Sequence, residues 1–354
     1  MGLGKEQVRW GVIGAGEIGI AFAQDIAQTR HAVVTAITSR REDRARLYAE
    51  RFGGLACLPD LDALLAEEAV DAVYIATPSS QHAEQTLRAL SAGKPVLVEK
   101  PLAVSAAEAQ AVLDRARQTG LFAMEALWTL FLPALAALRA HLRQGTIGRV
   151  KAVRGQLAYF KPEDPHSRFF SPTLGGGALL DLGIYLIALT LNLFGTPKAM
   201  TSRWQAAATG VDLCAQMGLA YDGFEAELAC GFDRTDTNRY VIEGETGALI
   251  IDQPFIAAPR LFLSRYAGLT RELGAEGNGL AGRILCKLTA LPIVPGLTRL
   301  DHRYVGNGLS FEIDAASQAI LAGETRSAIM PLERSVEALS LLDRIRAQPP
   351  ERFR

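Results

Sequence analysis

Three side chains in this sequence suit the control of a hydroxyl proton. Lys100 ends an apolar run in Glu99-Lys100-Pro101, where an ammonium could hydrogen-bond a hydroxyl and stabilise a developing alkoxide. Asp181 and Tyr185 stand four apart in Gly175-Gly176-Gly177-Ala178-Leu179-Leu180-Asp181-Leu182-Gly183-Ile184-Tyr185, a spacing that predicts one helical face. The glycine run predicts a flexible entrance to that helix, and Leu179, Leu180, Leu182, Ile184 and Leu186 predict its burial. A carboxylate and a phenol so placed need hydrogen-bond partners. Two readings follow: they satisfy each other's networks structurally, or they face a ligand crevice opposite Lys100. A lysine after a strand is common, so its weight rests on that second reading.

A phosphate-binding pattern precedes all three. Gly14-Ala15-Gly16-Glu17-Ile18-Gly19 follows the β-branched run 8–13 and opens an apolar helical face over 20–26. Gly14 suits a tight turn, Gly16 the approach of a pyrophosphate, and Gly19 close packing of helix on strand, with the helix N-terminus toward negative charge. Strand patterns over 33–38, 70–76, 95–98 and 121–125 then alternate with helical patterns over 42–52, 60–67, 80–91 and 105–119. That alternation predicts a doubly wound parallel sheet, with ligands at the carboxyl ends of the strands. Thr77, Pro78, His82, Glu99 and Lys100 follow such ends and join the glycine loop as candidate cofactor-binding residues. Pro101 would stiffen the turn after Lys100, in either peptide isomer.

The second strand ends in Thr38-Ser39-Arg40-Arg41, without the carboxylate that would accept the ribose hydroxyls of NAD. Ser39, Arg40 and Arg44 suit a 2′-phosphate, so NADP is the expected cofactor and NAD the alternative. A solvated helix start is the competing reading of these arginines.

Beyond residue 126 the pattern changes. A helical stretch over 128–145 leads to strands over 150–159, 198–206, 214–221, 224–232, 238–244 and 248–252, with Tyr221-Asp222-Gly223-Phe224 as a hairpin signal. The expected fold is α/β: a Rossmann domain over 1–126, then an α+β domain over 127–354 with a large, predominantly antiparallel, open-faced sheet. The dense apolar positions between 198 and 252 predict a face that must be covered. Residues 280–297 read as a packing or lid insertion.

The 354 residues suffice for two cores, and 37 basic against 38 acidic side chains offer no basic stripe for nucleic acid. The apolar stretches read as broken before 18 residues, so no membrane span is expected. The first residues show no export signal, which predicts a cytoplasmic protein. Cys57, Cys214, Cys230 and Cys286 lack paired metal spacing; they read as buried free thiols, and no metal site is expected.

With these landmarks (GAGEIG at 14–19, EKP at 99–101 and GGGALLDLGIY at 175–185), the chain resembles the glucose–fructose oxidoreductase/inositol dehydrogenase/rhizopine-catabolism family. Met124-Glu125-Ala126-Leu127-Trp128, with FEIDAA, MPLERS and LLDRIRAQ near the end, resembles the branch of dimeric dihydrodiol dehydrogenase and NADP-dependent D-xylose dehydrogenase. The likeness spans nearly the whole chain. It implies that Lys100, Asp181 and Tyr185 line the reaction centre, with Tyr185 as general acid/base, a place filled by histidine in many relatives. Trp128 and Arg168 join Asp181 and Tyr185 as candidate substrate residues. One departure is Leu130, where the family often has arginine; its loss suits a less hydroxylated ligand. The resemblance also implies that the open sheet face pairs with another subunit, as a homodimer or tetramer.

The expected activity is NADP-dependent oxidation of an alcohol or cyclic hemiacetal of a small, sugar-like substrate, aldose to lactone ahead of trans-dihydrodiol oxidation. A sugar–sugar oxidoreductase with tightly held NADP, and a nucleotide-binding sensor without turnover, are the alternatives.

Overall fold

The computed structural model describes residues 6–265 and 296–352. The chain divides into two compact units, one of 1–128 with 305–340 and one of 129–304 with 341–354. The first therefore takes in a late segment that the sequence reading placed wholly in the second domain.

In the first unit, β1 (Val8–Ile13), β2 (Ala32–Thr38), β3 (Ala56–Cys57), β4 (Ala72–Ile75), β5 (Val96–Glu99) and β6 (Ala123–Ala126) form one parallel sheet in the order β3-β2-β1-β4-β5-β6. Order reverses between β1 and β4, the switch point at which open α/β sheets bind ligands. Helices α1 (Glu17–Ile26), α2 (Glu42–Arg51), α3 (Leu61–Ala66), α4 (His82–Ser91) and α5 (Ala106–Thr119) make the crossovers. Asp60 and Ser105 cap α3 and α5 by accepting the N–H groups of Ala63 and Glu108. The two-residue β3 and the exposed Cys57 on it were not expected from sequence; that thiol lies outside the core.

The late segment is held by specific chemistry. Helix α8 (Ser310–Leu321) packs on α1, β1 and β2, and Trp10 Nε1 donates to Ser317 Oγ at 3.0 Å. The carboxylate of Asp25, buried on α1, accepts from the N–H groups of Asn307 and Leu309 and from the Asn307 side chain, all at 2.8–3.0 Å. Gly306 lies so close that a Cβ there would sit 2.5 Å from Asp25 Oδ1. Residues 332–340 of α9 (Leu332–Arg346) also belong to this unit.

In the second unit, eight strands among the described residues run in the order β14-β13-β12-β11-β7-β10-β9-β8: β7 (Val150–Ala158), β8 (Ala199–Ala206), β9 (Asp212–Tyr221), β10 (Phe224–Gly231), β11 (Tyr240–Gly244), β12 (Ala248–Ile251), β13 (Arg260–Ser264) and β14 (Leu297–Asp301). All neighbours are antiparallel except β7 and β10. The expected hairpin at Tyr221–Phe224 forms, with Phe224 paired to Tyr221 and Gly223 at φ 82°. The expected insertion over 280–297 lies outside the described residues up to 295, as does Cys286.

Among the described residues, two further helices lie wholly within this unit. Pro133 occupies the first turn of α6 (Pro133–Arg143), where its missing N–H costs nothing. Helix α7 (Ile184–Phe194) packs against β7 and β10, and Gly155 permits the approach: a Cβ there would lie 2.8 Å from Leu186 and 2.9 Å from Tyr240. Counted from Pro172, the helical stretch to Phe194 is long and apolar enough to cross a membrane, with mean hydropathy 1.8, which corrects the expectation of shorter apolar runs. Yet 78% of that window is buried within the protein, as befits a core helix.

The other sheet face divides in two: in register with Arg154 of β7 stand Val241, Ile250 and Phe262 on β11–β13, which cluster as buried apolar side chains, while β7–β10 carry polar ones. Arg154 pairs in register with Glu227, Glu227 with Gly218, and Gly218 with Thr201; beside this row run Gln156, Ala229, Gln216 and Arg203. Arg154 bridges Glu227 at 3.3 Å and Glu243 at 2.8 Å. The apolar alternates, among them Val153, Leu157, Ala226 and Leu228, are buried. Over β7–β10, strand alternation thus hides the apolar set and leaves a polar row on the groove-lining side.

Candidate active site

The glycine loop has the geometry its sequence implies. Gly14 sits at φ 112°, and a Cβ there would lie 2.6 Å from the Ala76 carbonyl. Gly19 abuts the Gly14 carbonyl, 2.4 Å from where its own Cβ would be. A Cβ on Gly16 would meet nothing within 4 Å. Two glycines thus close the strand–helix turn, while the middle one leaves open space at the N-terminus of α1. The residues fit a dinucleotide: the loop N–H groups and the helix end would hold its pyrophosphate. Ala15 and Ile18 complete this loop, and Glu17 lies in the first helical turn. Tyr48, buried on α2, donates to the Gly19 carbonyl at 2.9 Å and ties α2 to the loop.

At the end of β2, Arg41 is taken up by Asp43 at 2.7 Å, and Arg46 by Glu42 at 2.5 Å. Arg40 and Arg44 are exposed and form no ion pair among the described residues. Ser39 Oγ accepts only a long contact, 3.4 Å, from the Arg41 N–H.

His82 and Glu99 serve differently from the expectation. The His82 ring is buried, with Nδ1 2.7 Å from the Pro101 carbonyl and Nε2 2.8 Å from the Thr77 carbonyl. It ties together the loops after β4 and β5, and burial lowers its pKa. Glu99 turns inward and accepts the Tyr74 hydroxyl at 2.5 Å. Both side chains are used inside the unit. Thr77 Oγ1 donates to Gln85 at 2.7 Å, and Pro78 precedes the short 3-10 helix Ser79–Gln81. Lys100 is half-buried and joined to Pro101 by a cis peptide. Trp128, half-buried, opens the turn Trp128–Phe131, in which Leu130 is packed away at 1% exposed.

In the second unit, Asp181 lies in a π-helical segment, Leu179–Gly183, that runs directly into α7, where Tyr185 stands. A π turn holds more residues than an α turn, so four residues still make close to one revolution. The two side chains keep the common side that the spacing predicts. Asp181 is half-buried and Tyr185 is 8% exposed.

Asp212, first residue of β9, fixes the N-terminus of this segment. Its carboxylate accepts the Leu179 N–H, and a Cβ on Gly177, at φ 119°, would lie 2.4 Å from Asp212 Oδ1. Burial raises the Asp212 carboxyl to about 7, against the favourable Leu179 hydrogen bond and the Arg346 charge. Asp212 escaped the sequence reading; a lone acid opening an apolar strand was its only signal. Upstream, Arg168 is exposed and lies over the Phe169 ring at 4.1 Å, while Lys161 covers that ring at 3.6 Å. The Phe169 carbonyl accepts the Gly177 N–H at 2.9 Å, placing this loop beside the helix start.

Residues 8–126 match the family model of an oxidoreductase family with an NAD-binding Rossmann fold, and residues 135–250 match the GFO/IDH/MocA C-terminal domain. The chain belongs to the GFO/IDH/MocA oxidoreductase family. Among curated GFO/IDH/MocA relatives, it is 34% identical over 254 residues to the scyllo-inositol 2-dehydrogenase (NADP(+)) IolU of Bacillus subtilis, covering 69% of this chain and 76% of IolU. It is also 34% identical to the trans-1,2-dihydrobenzene-1,2-diol dehydrogenase of Mus musculus, covering 96% of both. Among solved structures, KijD10, a 3-ketoreductase from Actinomadura kijaniata in complex with NADP and TDP-benzene, matches with TM-score 0.78 and 28% identity, over 96% of this chain and 97% of that one. Membership of this family makes the protein an oxidoreductase, an enzyme that uses a nicotinamide dinucleotide in its Rossmann unit.

Proposed function

We propose that this protein is an NADP-dependent dehydrogenase that interconverts a CH–OH group of a sugar-like substrate and the corresponding carbonyl, with aldose to lactone as the leading reaction. The observation that carries the chemistry is Tyr185 with Asp181 one turn before it, on a helical segment whose start Asp212 holds. Tyr185 takes the hydroxyl proton. Lys100, an ammonium at a strand end, is suited to orient a substrate oxygen and to stabilise a developing alkoxide. Asp181 accepts hydrogen bonds from substrate and ribose hydroxyls. The bound nicotinamide supplies the acceptor for the hydride that leaves carbon as that proton departs.

The choice of NADP is supported by the strand end at Ser39-Arg40, where no carboxylate stands, and by the two arginines left outside ion pairs. The names of IolU and KijD10 point the same way. Oxidation of a trans-dihydrodiol is the second reading, favoured by the full-length match to the dihydrodiol dehydrogenases. An absorbance screen of aldoses, inositols, dihydrodiols and small aldehydes, with both oxidised and reduced cofactors, tests the proposal. Turnover on an aldose with NADP is expected. Turnover on none of these, with either cofactor, would overturn it. Release of NADP on denaturing the freshly purified protein would mark the sugar–sugar alternative.

A further inference from the structure

Two sequence features remain without a role: the stretch Met124–Trp128 and the MPLERS segment that leads into α9. The structure brings them together. Glu125 of the first is fully buried near the end of β6, beside Val98 of β5. Its Oε1 accepts the Leu102 N–H at 3.0 Å. Ser335 of the second, equally buried, lies close enough for its hydroxyl to favour the charged carboxylate, though short of a well-formed hydrogen bond. Glu125 Oε2 and Ser335 Oγ thus have no full partner among the described residues.

We propose that Glu125 is the positioning residue of Lys100: it holds the turn that carries the lysine and supplies the negative charge that favours its ammonium. The inference rests on the reading of Lys100 as a catalytic group. The geometry is a clamp on one peptide. His82 reaches the Pro101 carbonyl from α4, and Glu125 receives the Leu102 N–H from β6. Both polar groups of the Pro101–Leu102 peptide are therefore tied to buried side chains from different elements, so the segment next to Lys100 loses its rotational freedom. A neutral asparagine or glutamine could accept the same N–H. A carboxylate adds charge, and in a buried setting that charge acts on the nearby ammonium with little screening.

The groups that face Glu125 are Lys100 and Glu99 at the end of β5, the Leu102 N–H, and the Ser335 hydroxyl on α9. Burial pushes the Glu125 carboxyl up to about 7, with Glu99 adding to the rise and Ser335, Leu102 and Lys100 opposing it. The brace therefore gains its charge across neutral pH. Lys100 is held most firmly as the ammonium once Glu125 has ionised.

The test compares Glu125→Gln, Glu125→Ala, Lys100→Met and the Lys100→Met/Glu125→Gln double variant with the wild type. Each is assayed on the best screened substrate for kcat, KM and the pH profile of kcat, with NADP titration and thermal unfolding alongside. The expected result for Glu125→Gln is a folded protein that binds NADP within about twofold of wild type and loses about tenfold or more in kcat. The rise in kcat through neutral pH should flatten. Glu125→Ala should be worse than Glu125→Gln, and the double variant no worse than Lys100→Met. An independent readout uses isotope-labelled methyl groups on the lysines of the cofactor-free protein. The nuclear magnetic resonance signal absent from Lys100→Met should titrate at lower pH in Glu125→Gln. Wild-type kcat, pH profile and Lys100 titration in Glu125→Gln, with Lys100→Met inactive, would overturn the proposal alone. Normal turnover in Lys100→Met would overturn the catalytic reading of the lysine and this proposal with it. Multiplying losses in the double variant would show that Glu125 acts elsewhere, which also refutes it.

Discussion

Replacing Asp212 with asparagine should change its effect on stability as pH rises. Asp212 is 3% exposed, and its carboxyl is raised by burial from 3.8 to about 7. Below pH 3.8 both folded and unfolded chains hold the proton, and the contribution of the protonated group is fully present. Between there and about 7 the unfolded chain releases the proton first, so stability is lost as pH rises through the folded pKa. A rise of about three units corresponds to an upper bound of about 4 kcal/mol, approached at about 1.4 kcal/mol per pH unit. Asparagine keeps the volume and one oxygen to accept the Leu179 N–H, and does not titrate. Near pH 5 the variant should be equal to or slightly less stable than wild type. By pH 8 it should be the more stable. For a unit of this size, each kcal/mol moves the midpoint by about 2–4 °C, so the crossing is measurable by thermal unfolding from pH 5 to 8. Above pH 7, where the wild-type carboxyl is charged, the same variant should lower turnover, because the uncharged acceptor holds the Asp181–Tyr185 segment less tightly at its start. A constant difference in midpoint across that pH range would refute the reasoning, since it would mean that Asp212 ionises as it does in the unfolded chain.

Four further outcomes are expected. Arg40→Ala should weaken NADP about tenfold or more while leaving NAD nearly unchanged, measured by fluorescence quenching; equal losses would remove Arg40 from the phosphate. Tyr185→Phe should lower kcat on the order of 10²–10⁴-fold with NADP affinity retained, and near-normal turnover across pH would transfer the acid/base role elsewhere. Gly19→Ala should destabilise the protein by about 1–3 kcal/mol, because its Cβ would strike the Gly14 carbonyl, whereas Gly16→Ala should spare stability and block only the dinucleotide. Light scattering at micromolar concentration should give a homodimer. Arg154→Glu, which reverses a charge in the polar sheet row, should shift it toward monomer, and an unchanged dimer would place the interface on another surface.

Much of the cofactor unit was legible because its signals are local. A tight turn, a ligand approach and a close helix each demand glycine at a fixed offset, so Gly14, Gly16 and Gly19 announce their own geometry. The alternation of short apolar runs with helical periods then predicts β1 to β6 to within a few residues, apart from the two-residue β3. Asp181 and Tyr185 shared a side whether their turn was α or π, so their pairing survived an error in helix type.

What the sequence left open depends on groups distant along the chain. Strand alternation reveals two faces and is silent on which neighbours share them, so only the register shows that the polar row of Arg154, Glu227 and Thr201 continues into apolar Val241, Ile250 and Phe262. The return of 305–340 to the first unit rests on Asp25 receiving N–H groups more than 280 residues away. Glu99 and His82 follow strands as ligand-binding residues would, yet Tyr74 and two carbonyls claim their side chains. Glu125 and Asp212 could not be given a role, because a carboxylate shows its purpose only when burial removes water and one distant N–H takes its place. The sequence by itself determined the cofactor loop, the alternation and the residues fit for proton transfer. Only the tertiary structure decided which polar groups are enclosed, because desolvation is a property of the packed chain and not of neighbours in sequence.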